Sequence, residues 1–96
     1  MKYGYPTWRH PTYVAAVEKL FNQFPDAAFW LGVLERRISD DPENVGEFQS
    51  DIDVWRARLS VTSNANFQDR YLYYAFDGEE VRFLTMIFVD GDPIRN

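Results

Sequence analysis

Cysteine is absent from the 96 residues, which excludes disulfides, zinc ribbons and thiol nucleophiles. That absence suits a reducing compartment. Long apolar runs are also missing. The opening MKYGYPTWRH lacks the hydrophobic stretch of a signal peptide. The run from Phe83 to Val89 contains Thr85 and falls far short of the ~20 residues that span a bilayer. A cytoplasmic protein with no membrane association is therefore expected. Histidine occurs once, at position 10. There is no glycine-rich phosphate loop, no His-x-x-x-His pair and no Gly-x-Ser-x-Gly elbow. The acids between Asp40 and Asp53 do not follow EF-hand spacing, so neither metal nor cofactor is expected.

Basic residues are in the minority, 10 Lys and Arg against 15 Asp and Glu, for a net charge of −5. Such a surface repels nucleic acid and anionic membranes on average. The acids cluster, with six between Asp40 and Asp53 and three more at Asp77, Glu79 and Glu80. Arg56, Arg58 and Arg70 lie outside those runs, leaving room for a local basic patch. What the chain has in quantity is apolar and aromatic material: 46% hydrophobic residues, with eight Phe, six Tyr and three Trp. This is far too apolar for disorder and sufficient for one compact core. With no repeat, linker or low-complexity tract, residues 1–96 read as a single domain.

The pattern along the chain changes period once. Lys2 to Trp8 alternates loosely and is held to an edge strand or extended lead-in by Pro6. Pro11 and Thr12 open a helix in which Val14, Val17, Phe21 and Phe24 form an apolar stripe. Pro25 closes it. Asp26 is the expected N-cap of a second helix, with Ala27, Leu31, Leu34 and Ile38 along one side. Residues 39–46, SDDPENVG, read as loop. The period then becomes two. Trp55, Ala57, Leu59 and Val61 share one face of a strand, and Arg56 and Arg58 the other. Arg70–Phe76 and Glu80–Val89 are further strands. Asp77-Gly78 between them predicts a tight hairpin pairing Phe76 with Glu79, Tyr74 with Val81, Leu72 with Phe83 and Arg70 with Thr85. One face of this hairpin is expected on the helices. The face with Arg70, Leu72, Tyr74 and Phe83 is expected to be a concave partner surface. The outcome is an α+β fold, β-α-α-β-β-β, with an N-terminal helical hairpin packed on a curled antiparallel sheet.

Four stretches, taken in order, resemble the RelE/ParE superfamily of bacterial toxins from type II toxin–antitoxin systems. RHPTYVAAVEKLF is similar to their opening basic-then-amphipathic helix. LERRISDDPENVGEF resembles the end of the second helix with its Asp/Asn-Pro-x-x-Gly-type loop. VWRARLSV is similar to the Trp-x-x-Arg strand, and RYLYYAFDGEEVRFLTMIFV to the paired last strands that begin Arg-x-x-Tyr. The resemblance spans nearly the whole chain. It implies one of two activities: ribosome-dependent cleavage of mRNA, as in RelE-type members, or binding of DNA gyrase without nuclease activity, as in ParE-type members. A cognate antitoxin would be the neutralising partner in both cases.

For the nuclease, the resemblance places Arg58 and Arg70 as catalytic cations holding the scissile phosphate across neighbouring strands. Arginine suits that role because its planar fork binds two oxygens at once. Arg56, Tyr74 and Arg82 would belong to the RNA-binding or partner face. Tyr71, Tyr73 and Tyr74 are each a ring on which a base can stack, although tyrosines at this spacing in a strand more often pack in the core or across strands. Of the three, Tyr74, on the Arg70 face, is the functional candidate. The pattern departs at the C-terminal end: MIFVDGDPIRN carries Asp90 and Asp92 where His, Tyr or Lys is expected as acid or base. His10 precedes the first helix and reads as a surface or capping residue. A non-catalytic binding protein of the same fold, or a small domain that homodimerises through its aromatic sheet face, are the alternative readings.

Overall fold

The computed structural model describes residues 4–89. Lys2 and Tyr3 of the expected first strand, and Asp90 and Asp92, lie outside the described residues. The chain is an α+β fold. β1 (Thr7–Arg9) leads into α1 (Pro11–Gln23) and α2 (Ala27–Asp40). A single turn of helix, α3 (Pro42–Val45), follows, then β2 (Glu47–Gln49), β3 (Val54–Leu59), β4 (Arg70–Phe76) and β5 (Val81–Phe88). The strands form one five-stranded sheet in the order β1-β5-β4-β3-β2. β1 runs parallel to β5 and every other pair is antiparallel. The sheet is thus mixed and carries one strand more than expected. The added strand, β2, is three residues long, too short for a period-two signal, and it pairs with Val54–Arg56.

Local chemistry accounts for most boundaries. His10 caps α1, its Nδ1 accepting the Thr12 N–H at 3.1 Å, and Pro11 takes the first helical position. Asp26 does not cap α2. Its own backbone is already helical, and its carboxylate instead accepts from the Ser63 hydroxyl at 3.3 Å. Pro42 begins α3 inside the stretch expected to be loop.

The two long helices lie on one face of the sheet. Tyr13 of α1 stacks on Phe83 of β5 at 5.3 Å between ring centroids. Leu20, Leu31, Leu34 and Ile38 join Ala57, Leu59, Leu72, Tyr74, Val81 and Phe83 in one buried cluster. Each large side chain so buried stabilises the fold by about 1.5–3 kcal/mol. The burial of Ala57 and Leu59, with Arg56 and Arg58 turned away, follows the β3 alternation.

The β4–β5 hairpin differs from its expected register. Asp77 Oδ1 accepts the N–H groups of both Glu79 and Glu80, at 2.8 and 2.9 Å, and Gly78 takes φ 94°. That Asx-type turn lengthens the loop to four residues, so Phe76 pairs with Val81 and Tyr74 with Phe83. Between Tyr73 and Tyr74 the ladder slips again: Tyr73 pairs with Thr85, leaving Leu84 as the extra residue of a β-bulge. The bulge changes the phase of β5. Val81 and Phe83 are buried before it, and Met86 after it.

Candidate functional site: the open face of the sheet

The face of the sheet away from the helices is covered by no other described element. Its residues follow from the register. Arg56 pairs with Tyr73 and Arg58 with Tyr71, across β3 and β4. Tyr73 pairs with Thr85 and Tyr71 with Ile87, across β4 and β5. Arg82 lies beside Trp8 of β1. Cross-strand neighbours share a face, so the open face carries three arginines and two tyrosines, bordered by Trp8 and Ile87.

Arg56 is the centre of this surface. Its guanidinium carbon lies 4.1 Å from the centroid of the Tyr71 ring, a cation–π distance. Its Nε is buried with no hydrogen-bond partner. Hydrogen bonding to the Tyr73 hydroxyl is the largest influence that keeps Arg56 more firmly protonated than an ordinary arginine. The Tyr71 and Tyr73 rings meet edge to face at 6.4 Å.

Each arginine on the face has a carboxylate beside it. Arg58 Nε donates to Asp69 at 2.8 Å, and Ser60 holds the same oxygen at 2.8 Å. Arg82 Nε donates to Glu80 at 2.7 Å. Arg56 stands 3.5 Å from Glu47. The face is therefore a mixed-charge surface, and a phosphate arriving there meets a carboxylate at each cation.

Arg70 is elsewhere. It pairs with Leu59, which is buried, and so stands on the helix side. There its guanidinium lies 4.6 Å from the Phe88 ring, 4.8 Å from Phe67 and 5.8 Å from Phe24. It also donates to the Gln68 carbonyl at 2.8 Å. Desolvation in that setting lowers its pKa from the usual arginine value. Arg58 and Arg70 do not form the expected phosphate clamp.

Tyr74 is likewise not on the accessible face. It is fully buried with Leu72 and Phe83, so the expected concave partner surface is the core-facing side. Its hydroxyl donates to the Pro42 carbonyl at 2.6 Å, and burial pushes its pKa up to about 12. Of the expected face residues, Arg56 and Arg82 do share the open side with Arg58. Trp8, Thr85 and Ile87 are members that the sequence reading does not single out. The signal available for them is the β3 alternation carried across the meander, since whatever pairs with Arg56 and Arg58 shares their face.

A second polar cluster sits under the helices. Glu35 accepts from Tyr13 at 2.5 Å through one oxygen and from Arg9 at 2.7 Å through the other. Burial, and then the Glu35 charge, raise the Tyr13 pKa far above that of a free phenol. Tyr13 has no exposed surface, so this triad ties β1, α1 and α2 together rather than meeting a substrate.

At the turn end of the sheet, a cavity of about 190 Å³ is lined by Phe48, Trp55 and Phe76 together with Asp53, Asp77, Glu80 and Arg82. That is below the roughly 300–1,000 Å³ of sites for drug-sized ligands. Among the described residues, no cluster of three or more His, Asp or Glu is placed to hold a metal ion. No helix among them is long and apolar enough to cross a membrane. No family model, curated protein or solved structure matches this chain.

Proposed function

We propose that the chain is a RelE/ParE-type protein that works by binding a protein partner through the open face of its sheet, not by cutting RNA. The observation that carries this reading is the separation of Arg58 from Arg70 on opposite faces. Phosphoryl chemistry on RNA needs cations converging on one phosphate, with an acid and a base at hand. One arginine on each side of a sheet does not converge. The three that share the open face already have carboxylate partners, which disfavours a polyanion and suits a partner of mixed charge. Tyrosine and arginine around a partly desolvated centre are the residues that dominate protein–protein recognition. The partner classes that the family resemblance implies are DNA gyrase as target and a cognate antitoxin as the neutralising chain.

Two assays on the purified protein test this. Supplied to translating ribosomes, it is expected to leave mRNA intact. Added to gyrase, it is expected to inhibit supercoiling, with Arg56→Ala and Tyr73→Ala weakening that inhibition. Ribosome-dependent cleavage that Arg58→Ala abolishes would overturn the binding reading. Absence of both effects would remove gyrase as the target.

The rings beside the arginines favour a second reading, a RelE-like ribosome-dependent endonuclease whose open face carries RNA. Base stacking on Tyr71 or Tyr73 is worth roughly 1–3 kcal/mol per base. In that case Arg58 must leave Asp69 for phosphate, and binding falls steeply as salt is raised.

A further inference from the structure

Two turns of the sheet lie side by side. Gln49 pairs with Val54 at the end of the β2–β3 hairpin, and Phe76 with Val81 at the end of the β4–β5 hairpin. Trp55 pairs with Tyr74 between them, so residues 50–53 and 77–80 share one end of the sheet. The cavity of about 190 Å³ lies there, with Phe48, Trp55 and Phe76 in its lining. Phe48 is 47% exposed and meets Trp55 edge to face, with 5.2 Å between ring centroids.

The charges in that lining are unequal. Asp53, Asp77 and Glu80 against Arg82 leave two net negative charges. Arg82 is already neutralised, 2.7 Å from Glu80 and 3.9 Å from Asp77, and Asp77 also gathers the N–H groups of Glu79 and Glu80. Asp53 differs from both. Its carboxylate has no hydrogen bond or ion pair with any described residue. Its backbone takes φ 58°, with its N–H donated to the Gln49 carbonyl at 2.7 Å. One uncommitted carboxylate therefore shares a cavity with three aromatic side chains.

We infer that this cavity takes the guanidinium of an arginine side chain presented by a protein partner. Aromatic rings attract cations, and the carboxylates set the same sign. The chemistry of Asp53 then selects among cations. A quaternary ammonium has no N–H to give it, and a lysine ammonium is a compact, strongly hydrated charge. A guanidinium is planar and weakly hydrated, stacks on rings, and offers two parallel N–H groups to one carboxylate. The volume, below that of sites for drug-sized ligands, admits a head group rather than a whole ligand. The net charge of −5 on the chain draws a basic segment inward. Arg82 belongs both to this lining and to the open face, so the inference deepens the partner-binding reading and rests on it.

Titration of the intact chain with N-acetyl-arginine methylamide at low salt, followed by NMR, tests this. The indole N–H of Trp55 is expected to shift saturably, with those of Trp8 and Trp30 unmoved. The citrulline analogue, uncharged and of the same length, should not bind, and tetramethylammonium should bind more weakly than arginine. Asp53→Asn, which tolerates the same positive φ, should weaken binding about tenfold or more. Phe48→Leu should weaken it about two- to fivefold. Four results would overturn the proposal: no saturable shift at Trp55, equal binding of the citrulline analogue, tetramethylammonium binding as tightly as arginine, or full binding by a folded Asp53→Asn. The ligand series on the unaltered chain decides the matter even if a variant does not fold. The small probe reports on the cavity alone, so a failed titration beside intact gyrase inhibition removes this contact and leaves the partner reading standing.

Discussion

Arg58 and Arg70 stand on opposite faces of the sheet, because β3 and β4 pair Arg58 with Tyr71 and Leu59 with Arg70. The two arginines therefore do different work. Arg70 has its guanidinium among the rings of Phe24, Phe67 and Phe88. Arg70→Ala is expected to destabilise the protein by about 1–3 kcal/mol through lost cation–π contact and packing. Arg58 has an exposed side chain bridged to Asp69, and an exposed pair contributes little. Arg58→Ala is expected to change stability by under about 1 kcal/mol. Urea unfolding of the two variants checks the contrast. Equal losses would contradict the opposite-face placement.

Tyr74 is the structural anchor of the loop after α2. Its hydroxyl reaches 32 residues back to the Pro42 carbonyl, in a buried hydrogen bond. Tyr74→Phe keeps the ring, which stacks near Trp55 at 6.3 Å, but leaves that carbonyl unpaired. The expected cost is about 1–3 kcal/mol, read as a lowered urea midpoint. Tyr74→Phe should leave binding at the open face unchanged. A loss of partner binding with stability intact would return Tyr74 to the functional surface.

Much of this fold is legible in the sequence where periodicity is strong. The α2 stripe, the β3 alternation and the positions of β4 and β5 follow from residue spacing. In α1 the fully buried residues are Tyr13 and Leu20, while Val14 of the expected stripe is exposed. What is not legible depends on contacts distant in sequence or on single backbone groups. The bulge at Leu84 arises from how β5 meets β4, and the four-residue turn arises from the two N–H groups gathered by Asp77. These two details set which residues of β5 oppose Tyr73, Tyr71 and Arg70. The face assignment fails for a different reason. Both faces of β4 are rich in tyrosine and apolar residues, so composition does not say which one the helices cover. Arg56 and Arg58 do say it, once the register ties them to Tyr73 and Tyr71. β2 is too short to carry a pattern.

Gly46 marks a position where only a bare backbone fits. It lies at the C-cap of α3, against the Tyr74 hydroxyl and the Arg56 carbonyl, and an added Cβ would come within 2.7 Å of that carbonyl oxygen. Neither neighbour is free to yield, since one is strand backbone and the other is bonded to Pro42. Gly46→Ala is expected to cost about 1–3 kcal/mol through forced backbone shifts. Gly32, whose Cβ would meet nothing within 4 Å, provides the control. Gly32→Ala on the exposed side of α2 should stabilise by about 0.5–1 kcal/mol. Thermal melts of the pair should move in opposite directions.

Alkaline pH should unfold the protein through Tyr13 and Tyr74. Both have folded-state pKa values above the unfolded value of 10.0, Tyr74 at about 12 and Tyr13 higher still, with burial the leading cause. The neutral phenols are favoured by folding, so this stabilisation is complete below pH 10 and is lost as pH rises. Between roughly pH 10 and 12 the unfolded chain releases up to two more protons than the native one. At 1.36 kcal/mol per proton and pH unit, the slope approaches about 2.7 kcal/mol per unit. For Tyr74 alone the total is about 2–3 kcal/mol, spent by pH 12. Tyr13→Phe removes one titrating group and should halve the slope, while also freeing one oxygen of Glu35 from its partner. Urea midpoints measured from pH 9 to 12 report this directly. A stability that stays flat across that range would show that neither phenol is held neutral by the fold.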